Sequence, residues 1–399
     1  MSTDNPAANQ LQAPADSSVP EGHQLITEGS ITMMYPQTEN SVFYNPVQVQ
    51  NRDLSILMIG MYAQRKVEKD WVKAKRKEVR KELLANSSEA KGGKSGEKLS
   101  KEERKKKIAT LELEIEERVQ KDKEGVDFVK LTKESGCNSS STTNSDTTLT
   151  GLTILDALAA SGLRSLRYWK EIPGIKTMVV NDVDPVAIEL AKENVVRNGM
   201  VDSLAKEAAQ GAQTDGKDRT KDKDIDGGTK DNNKQQNHSR PPGIILQTGD
   251  ATHEMYLSRL PPSLYTSQQN PSQIHQKPQY DVIDLDPYGS ASPFLDAALQ
   301  SIANGGLLAV TCTDMAALGG SHPETCYGRY AAFPISRAGY LQELALRILL
   351  YQLSVVAGRY GRSVRPVLSV GMAFYCRVFV EVWDDKAGVS LTIILDTLE

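Results

Sequence analysis

The sequence predicts an α/β fold: a mostly parallel sheet with helices on both faces, interrupted by disordered insertions. Three observations predict it. Continuous apolar runs, as in "LTILDAL", "KTMVVND", "IILQTGD" and "YDVIDLD", read as strands buried on both faces. These runs alternate with helical stretches, the pattern of βαβ units. Each run ends on an acidic residue, at the strand end where open α/β sheets hold ligands.

Residues 1–22 are polar and rich in Pro, Ala and Ser, which predicts a disordered tail ahead of a domain over 23–399. The tail lacks the charged-then-apolar layout of a signal peptide. It contains acids and no Arg, which argues against a mitochondrial presequence. "LITEGSITMMYP" then reads as a strand pair, and "NRDLSILMIGMYAQRKV" as a helix capped near Asn51. A charged insertion over 64–150 follows. Its "KDWVKAKRKEVRKELL" and "KLSKEERKKKIATLELEIEERVQKDKEG" read as two polar helices joined by a Gly/Ser/Lys linker. "SGCNSSSTTNSDTTLTG" closes it with low complexity. "LTILDALAASGLRSLRYWKEIPG" is an apolar strand, a tight turn and a helix, and "KTMVVNDVDPVAIELAKENVVRNG" repeats that theme. Residues 203–241 form a second low-complexity insertion. Strand and helix signals resume at "IILQTGDATHEMYL" and continue through "YDVIDLDPYGSASPFLDAALQSIANGG" and "LLAVTCTDMAAL". A helix through "YLQELALRILLYQLSVVAGRYG" and the strands "RPVLSVGMAF" and "CRVFVEVWD" complete the series.

At 39% hydrophobic and 25% charged residues, the 399-residue chain can build a sizeable core. The net charge of −4 excludes a global positive field, so nucleic-acid binding has to come from local basic surface. Cys137, Cys312, Cys326 and Cys376 lie far apart without a C-x-x-C pair. That indicates reduced intracellular thiols rather than a disulfide framework or a metal site. No apolar run reaches membrane-spanning length, so no membrane partner is expected.

The strand ends carry the chemistry. In "DALAASGLRS" small residues let a ligand approach a helix N-terminus, and Arg164 supplies a cation; the stretch is not a G-x-G-x-x-G, so no pyrophosphate is favoured. Asp182 of "NDVDP" lies about 20 residues beyond Gly162, where a carboxylate grips a ribose diol, and this reading is favoured over a helix cap by Asp182 or Asp184. Asp250 of "GDAT" can meet an adenine amine or simply close a turn. In "VIDLDPYGS", Asp284 and Asp286 sit close together, and two like charges raise each other's cost of ionisation. Acidic strand ends without a phosphate loop, and an Asp-Pro-aromatic element after the fourth strand, point to S-adenosylmethionine as the cofactor. It has a ribose and an adenine but no phosphate.

The stretches "FYNPVQVQNRDLS", "LDALAASGLRSLR", "NDVDPVA", "DLDPYGS" and "VTCTDMAALGGSHPETCYGRY" together resemble the tRNA (guanine-26-N2) dimethyltransferases over about residues 24–63 and 151–384. The resemblance implies a Rossmann-like class I methyltransferase fold with a seven-stranded sheet, S-adenosylmethionine as donor, and the N2 amine of guanine in tRNA as acceptor. It implies cofactor contacts at Arg52, Arg164, Asp182, Asp250 and Ala251, and a catalytic carboxylate at Asp286. It also implies a further C-terminal domain, commonly with a cysteine zinc site. With "LTIILDTLE" following the last strand, that domain is expected to be absent here.

The guanine amine is a poor nucleophile because its lone pair is delocalised into the ring. A carboxylate that accepts its N–H localises the lone pair and can take the proton. Asp286 is the candidate, with the Pro287 carbonyl for the other N–H, Tyr288 as a stacking face and Gly289 permitting close approach. Asp284 is either structural or helps position the loop. Phosphate contacts are expected from Arg329, Arg337, Arg359, Arg362 and Arg365, or from the Lys-rich 64–107 segment, which reads equally as a solvated charged helix. Within it, "KAKRKEVRK" matches a nuclear localisation pattern. His322 is expected to shape a loop. The expected working form is a monomer acting on tRNA in the nucleus or cytoplasm, or in the mitochondrion. The competing readings are an amino-methyltransferase acting on another nucleic acid or an amide, and a truncated fold that binds RNA without turnover.

Overall fold

The computed structural model describes residues 19–20, 22–36, 44–89, 101–136, 151–205, 240–259, 278–372 and 374–389. Most of the tail over 1–22, the linker over 90–100, the low-complexity stretch over 137–150 and nearly all of the 203–241 insertion lie outside them.

The predicted strand pair is an antiparallel hairpin of β1 (His23–Glu28) and β2 (Ile31–Pro36). Helix α1 spans Val49–Glu89, after a short 3₁₀ turn over Pro46–Gln48. Asn51 does not cap it. The Asn45 side chain accepts from the Val47 N–H ahead of the helix, and Asn51 lies inside the first turns, donating to Gln48. The first polar helix is not separate either, because α1 continues through it. Its hydrophobic stripe passes from the domain core to the surface of α2 (Lys101–Lys123), where Val79 meets Ile115 and Val119. A short α3 (Phe128–Glu134), capped by Asp127, returns the chain to the domain.

The central elements are β3 (Leu152–Asp156), α4 (Leu163–Glu171), β4 (Ile175–Asp182), α5 (Pro185–Arg197), β5 (Gly243–Thr248), α6 (Ala251–Tyr256) and β6 (Tyr280–Leu285). After them come α7 (Ser292–Ser301), β7 (Ile302–Cys312), α8 (Met315–Leu318), α9 (Pro323–Tyr330), α10 (Leu341–Gly358), β8 (Ser363–Gly371) and β9 (Cys376–Trp383). The seven-stranded sheet runs β5-β4-β3-β6-β7-β9-β8. The first five strands are parallel, and β9 joins antiparallel to both β7 and β8.

Successive strand residues point to opposite faces, so one strand feeds two cores. Ile154 belongs to a core with Ile59, Leu166 and Trp169, under α1 and α4. Its neighbour Leu155 belongs to the other, with Leu295, Leu299, Leu349 and Leu353 of α7 and α10. Helix α10 is long and apolar enough to cross a membrane by length and composition, contrary to the sequence reading, but Ala345, Leu349 and Leu353 are wholly buried in this core. The ends of the second insertion also belong to the domain. Leu204 bridges to Ile244 beside β5, and Arg240 lies over the Tyr280 ring at 3.8 Å and reaches Glu254.

The chain steps outward from β3 to β4 and β5, then returns to β6 on the other side of β3. That reversal opens a crevice beyond the carboxyl ends of β3 and β6, the place where such sheets bind ligands.

Candidate active site

A cavity of about 990 Å³ fills this crevice. Its lining includes Arg52, Arg164, Asp182, Asp286, Pro287 and Tyr288, so six of the eight predicted site residues converge there. Asp250 and Ala251 do not line it. The Asp250 side chain accepts from the His253 N–H and caps α6, while Ala251 is buried in the core.

Asp182 and Asp184 divide the roles that the sequence left open. Asp184 caps α5 by accepting from the Val186 N–H. Asp182 accepts from the backbone of Ala160 at 2.8 Å and of Asp184 at 2.9 Å, one bond to each oxygen. Each oxygen keeps a second lone pair, the acceptor pair that the two hydroxyls of a ribose diol can donate to. Gly162, at φ +79, packs against Ala191 and keeps the β3–α4 turn tight. The small residues 159–161 line the cavity beside it.

The acidic pair is not what two adjacent carboxylates suggest. Asp284 is completely buried and points into a cage of donors. Arg377 of β9 binds it at 2.7 and 2.9 Å, Tyr168 of α4 donates at 2.5 Å, and Arg164 lies 3.5 Å away. Burial by itself would raise its pKa, but the two guanidiniums reverse the effect and hold it at about 2. Like-charge repulsion is therefore not what sets its ionisation. Ser55 of α1 accepts from both Arg377 and Arg164, and Thr311 of β7 accepts from Arg377. Arg164, fixed in this way, pairs with Oδ2 of Asp286 at the cavity wall. Oδ1 of Asp286 has no hydrogen-bond partner among the described residues.

The repulsion is felt by a third carboxylate. Asp156 ends β3 and sits in register with Asp284 on the neighbouring strand. It is buried and lines the cavity. Its pKa is pushed up to about 7 by burial first and by Asp284 second, despite a 2.6 Å hydrogen bond from Ser165.

The loop after β6 is pinned to the end of β7. The Gly289 N–H donates to Thr313 Oγ1 at 2.8 Å, and the Thr313 N–H donates to the Gly289 carbonyl at 2.8 Å. Gly289 has a φ of +78, which favours glycine, and it lines the cavity where a Cβ would meet no protein atom within 4 Å. Tyr288 stands at the rim, 78% exposed. Burial and the charges of Asp286 and Asp182 raise its pKa.

Several predicted contacts change role. Arg52 lines the cavity but spends a bidentate pair, 2.6 and 2.5 Å, on the buried Glu28, which Arg167 also holds. Arg362 cannot reach a phosphate: it is buried, donates to the carbonyls of Leu299 and Ile302, and pairs with Asp384. Arg365 pairs with Asp385, and Arg329 lines the cavity while pairing with Asp314. Arg337 and Arg359 are exposed. His322 is exposed just before α9 and faces Glu324, consistent with a loop role.

The described part of the Lys-rich segment leaves the domain at the amino edge of the sheet, the edge opposite the cavity. Along α1, Tyr62 donates to the Gly305 carbonyl, Lys66 pairs with Asp281, and Lys69 lies over Trp383, all at the amino ends of β6 and β7 or nearby. "KAKRKEVRK" is part of that helix, with Arg76 and Arg80 paired to Glu116 and Glu112 of α2.

Sequence reasoning missed Arg377, Ser55, Tyr168 and the state of Asp156. Arg377 left a signal: an arginine inside the apolar run "CRVFVEV" is buried and must be paired. Ser55 and Tyr168 left none. The three described cysteines, Cys312, Cys326 and Cys376, are buried and unbonded. Among the described residues no group of three or more His, Cys, Asp or Glu is placed to hold a metal.

Residues 22–223 and 265–393 match the model of the N2,N2-dimethylguanosine tRNA methyltransferase family. The chain is 33% identical over 358 residues to a tRNA (guanine(26)-N(2))-dimethyltransferase of Schizosaccharomyces pombe, an alignment covering 90% of this chain and 48% of that protein. It is 33% identical over 369 residues to the Homo sapiens protein of the same name, covering 92% of this chain and 42% of that one. The chain thus spans about half the length of these relatives. A solved complex of Trm1 from Pyrococcus horikoshii with S-adenosyl-L-methionine superposes with a TM-score of 0.53 at 22% identity, over 93% of this chain and 64% of that one, a likeness of fold. With both matched stretches carrying the strands and loops that build the cavity, the chain belongs to the N2,N2-dimethylguanosine tRNA methyltransferase family.

Proposed function

We propose that this chain transfers methyl groups from S-adenosylmethionine to the N2 amine of guanine at position 26 of tRNA, giving N2,N2-dimethylguanosine. The observation that carries the reading is Asp286: a carboxylate at the cavity wall with one oxygen fixed by Arg164 and the other free to accept an N–H.

The cavity fits the cofactor. Its volume suits a nucleoside-sized ligand. Asp182 offers lone pairs for a ribose, the wall also carries Arg52 and Arg164, each already paired with a carboxylate of the protein, and the small residues of the β3–α4 turn leave room at the backbone. The cofactor supplies an electrophilic methyl group.

The remaining chemistry belongs to the protein. Asp286 Oδ1 accepts an N–H of the amine and turns its lone pair out of conjugation with the ring. An alkylated guanine amine is acidic enough to give up its proton to the Asp286 carboxylate. Pro287 fixes the backbone direction so that its carbonyl takes the second N–H. Tyr288, exposed at the rim, offers a face for the extruded base, whose unstacking costs a few kcal/mol. Rigid placement by the Asp284 cage is what aligns amine and methyl.

Mass analysis of nucleosides from tRNA incubated with the purified protein and methyl-labelled cofactor tests this. The expected product is labelled N2,N2-dimethylguanosine at position 26. Label on adenine, or on a protein amide when one is offered, replaces the substrate. No label on any substrate, with RNA still bound, leaves a binding protein.

A further inference from the structure

We propose that Tyr327 and Phe333 form a stacking platform for an unstacked nucleobase of the RNA substrate, next to the base that enters the cavity. The inference rests on the reading of the cavity as an RNA-modifying site.

The two rings stack on each other with centroids 4.8 Å apart and planes 18° apart, yet they are 55% and 66% exposed. Ile335 and Tyr340 follow within seven residues and are also more than half exposed. Four large exposed side chains thus fall in one short stretch of chain, and two of them are in direct contact.

The surrounding structure holds the rings still. Tyr327 is on α9, one turn before Tyr330, whose hydroxyl is 2.6 Å from Ser290 and 2.9 Å from Asp314. Ala331 ends α9 at φ +53 and turns the chain so that Phe333 comes back over Tyr327. The segment beyond is tied down by Ser336, which donates to the Gly320 carbonyl at 2.6 Å. Gly320 lacks a Cβ that would stand 2.9 Å from the Ser336 Cα, so this close seating needs glycine.

Position and charge select RNA as the occupant. The platform shares α9 with Arg329, which lines the cavity wall, and with Tyr330, whose hydroxyl meets Ser290 of that wall. Extruding a base from a helical junction leaves its neighbour without a stacking partner. A preformed aromatic surface on the helix that borders the cavity replaces that partner at little ordering cost. Arg337, exposed and without an ion-pair partner among the described residues, stands four residues from Phe333 to meet the phosphate backbone. Stacking on flat rings beside a free guanidinium is how single-stranded segments of RNA are held.

The test is the double variant Tyr327→Ala/Phe333→Ala, assayed for tRNA affinity, cofactor affinity and methyl transfer. The expected result is tRNA binding weaker by about 10- to 100-fold with cofactor affinity unchanged. Tyr327→Trp/Phe333→Trp is expected to restore tRNA affinity, and its emission is expected to be quenched when tRNA is added. Arg337→Gln is expected to reduce the salt slope of binding by about one. If the wild type methylates tRNA and the double alanine variant binds it equally well, the platform is wrong and the reading of the cavity stands. If the double variant loses RNA affinity while the wild type methylates nothing, the platform stands and the reaction is wrong. Loss of self-association in sedimentation, with RNA binding intact, would make the surface a protein interface and overturn the proposal.

Discussion

Two regions of this molecule are dense in charge and behave in opposite ways. Beneath the cavity, Asp284, Arg377, Arg164 and Asp286 form a chain of ion pairs in which Asp284 and Arg377 have no exposure at all. In the α1–α2 hairpin, Arg76–Glu116, Arg80–Glu112 and Lys123–Glu68 cross between helices with side chains from a third to more than half exposed. The contacts are alike in kind, and the medium differs. Water screens the hairpin pairs and hydrates each partner alone, so breaking one costs little. The buried network has no such alternative, and removing one member strands the others. Charge density alone therefore says little about importance; the environment of each charge decides.

The largest effect is expected at the exposed end of the buried network. Asp286→Asn should slow methyl transfer by about 10²–10⁴-fold in single-turnover assays with bound tRNA, while cofactor affinity holds. Asp284→Asn should cost less in the chemical step and more in stability. The reverse pattern would exchange the roles of the two aspartates.

Arg377→Met should cost about 3–5 kcal/mol in denaturant unfolding, because Asp284 is left charged and unpaired. Adding Asp284→Asn to it should recover part of the loss. A cost as small as that of a hairpin pair would remove the distinction between the two regions.

Asp182→Ala should weaken cofactor binding by about 10- to 150-fold in calorimetry, the value of one hydrogen bond to a charged group. Unchanged affinity would place the ribose elsewhere.

The pH dependence of stability separates two carboxylates of one network. Asp284, held at about 2, stabilises the fold above the ordinary carboxylate range, and this is lost as pH falls through about 2. Asp156 has the opposite sign. Its folded pKa of about 7 lies above the unfolded value, so the fold binds the extra proton and loses stability as pH rises from about 4 to 7. Asp156→Asn should therefore stabilise the protein by ~1–3 kcal/mol at pH 8 and by less at pH 5. Equal effects at both values would mean that Asp156 is ionised throughout.

The smallest effect is expected in the hairpin. Arg76→Ala and Arg80→Ala should each change stability by less than about 1 kcal/mol, and less still in high salt. They should leave tRNA affinity unchanged, since the hairpin leaves the domain at the amino edge of the sheet. A drop in affinity and salt slope would bring the hairpin into the RNA contact surface.

Much of this was legible along the chain because it is local. Apolar runs of strand length, the helices between them and the acidic residues at their ends depend on neighbours in sequence. So the α/β class, the β1–β2 pair and five cavity residues could be read directly, while Arg52 came only from the family resemblance. The left-handed backbone at Gly289 and the capping by Asp184 are local too, although the sequence did not assign them. What tertiary structure decided is which charges meet. Asp284 is held by residues from α4 and β9, and through its arginines by Ser55 of α1, as much as 322 residues apart in sequence. Asp156 faces Asp284 only through the register of two strands 128 residues apart. Arg362 is turned from a surface cation into a buried clasp by the edge on which β8 packs. Ionisation depends on burial and on the distance to other charges, and neither exists until the sheet is assembled.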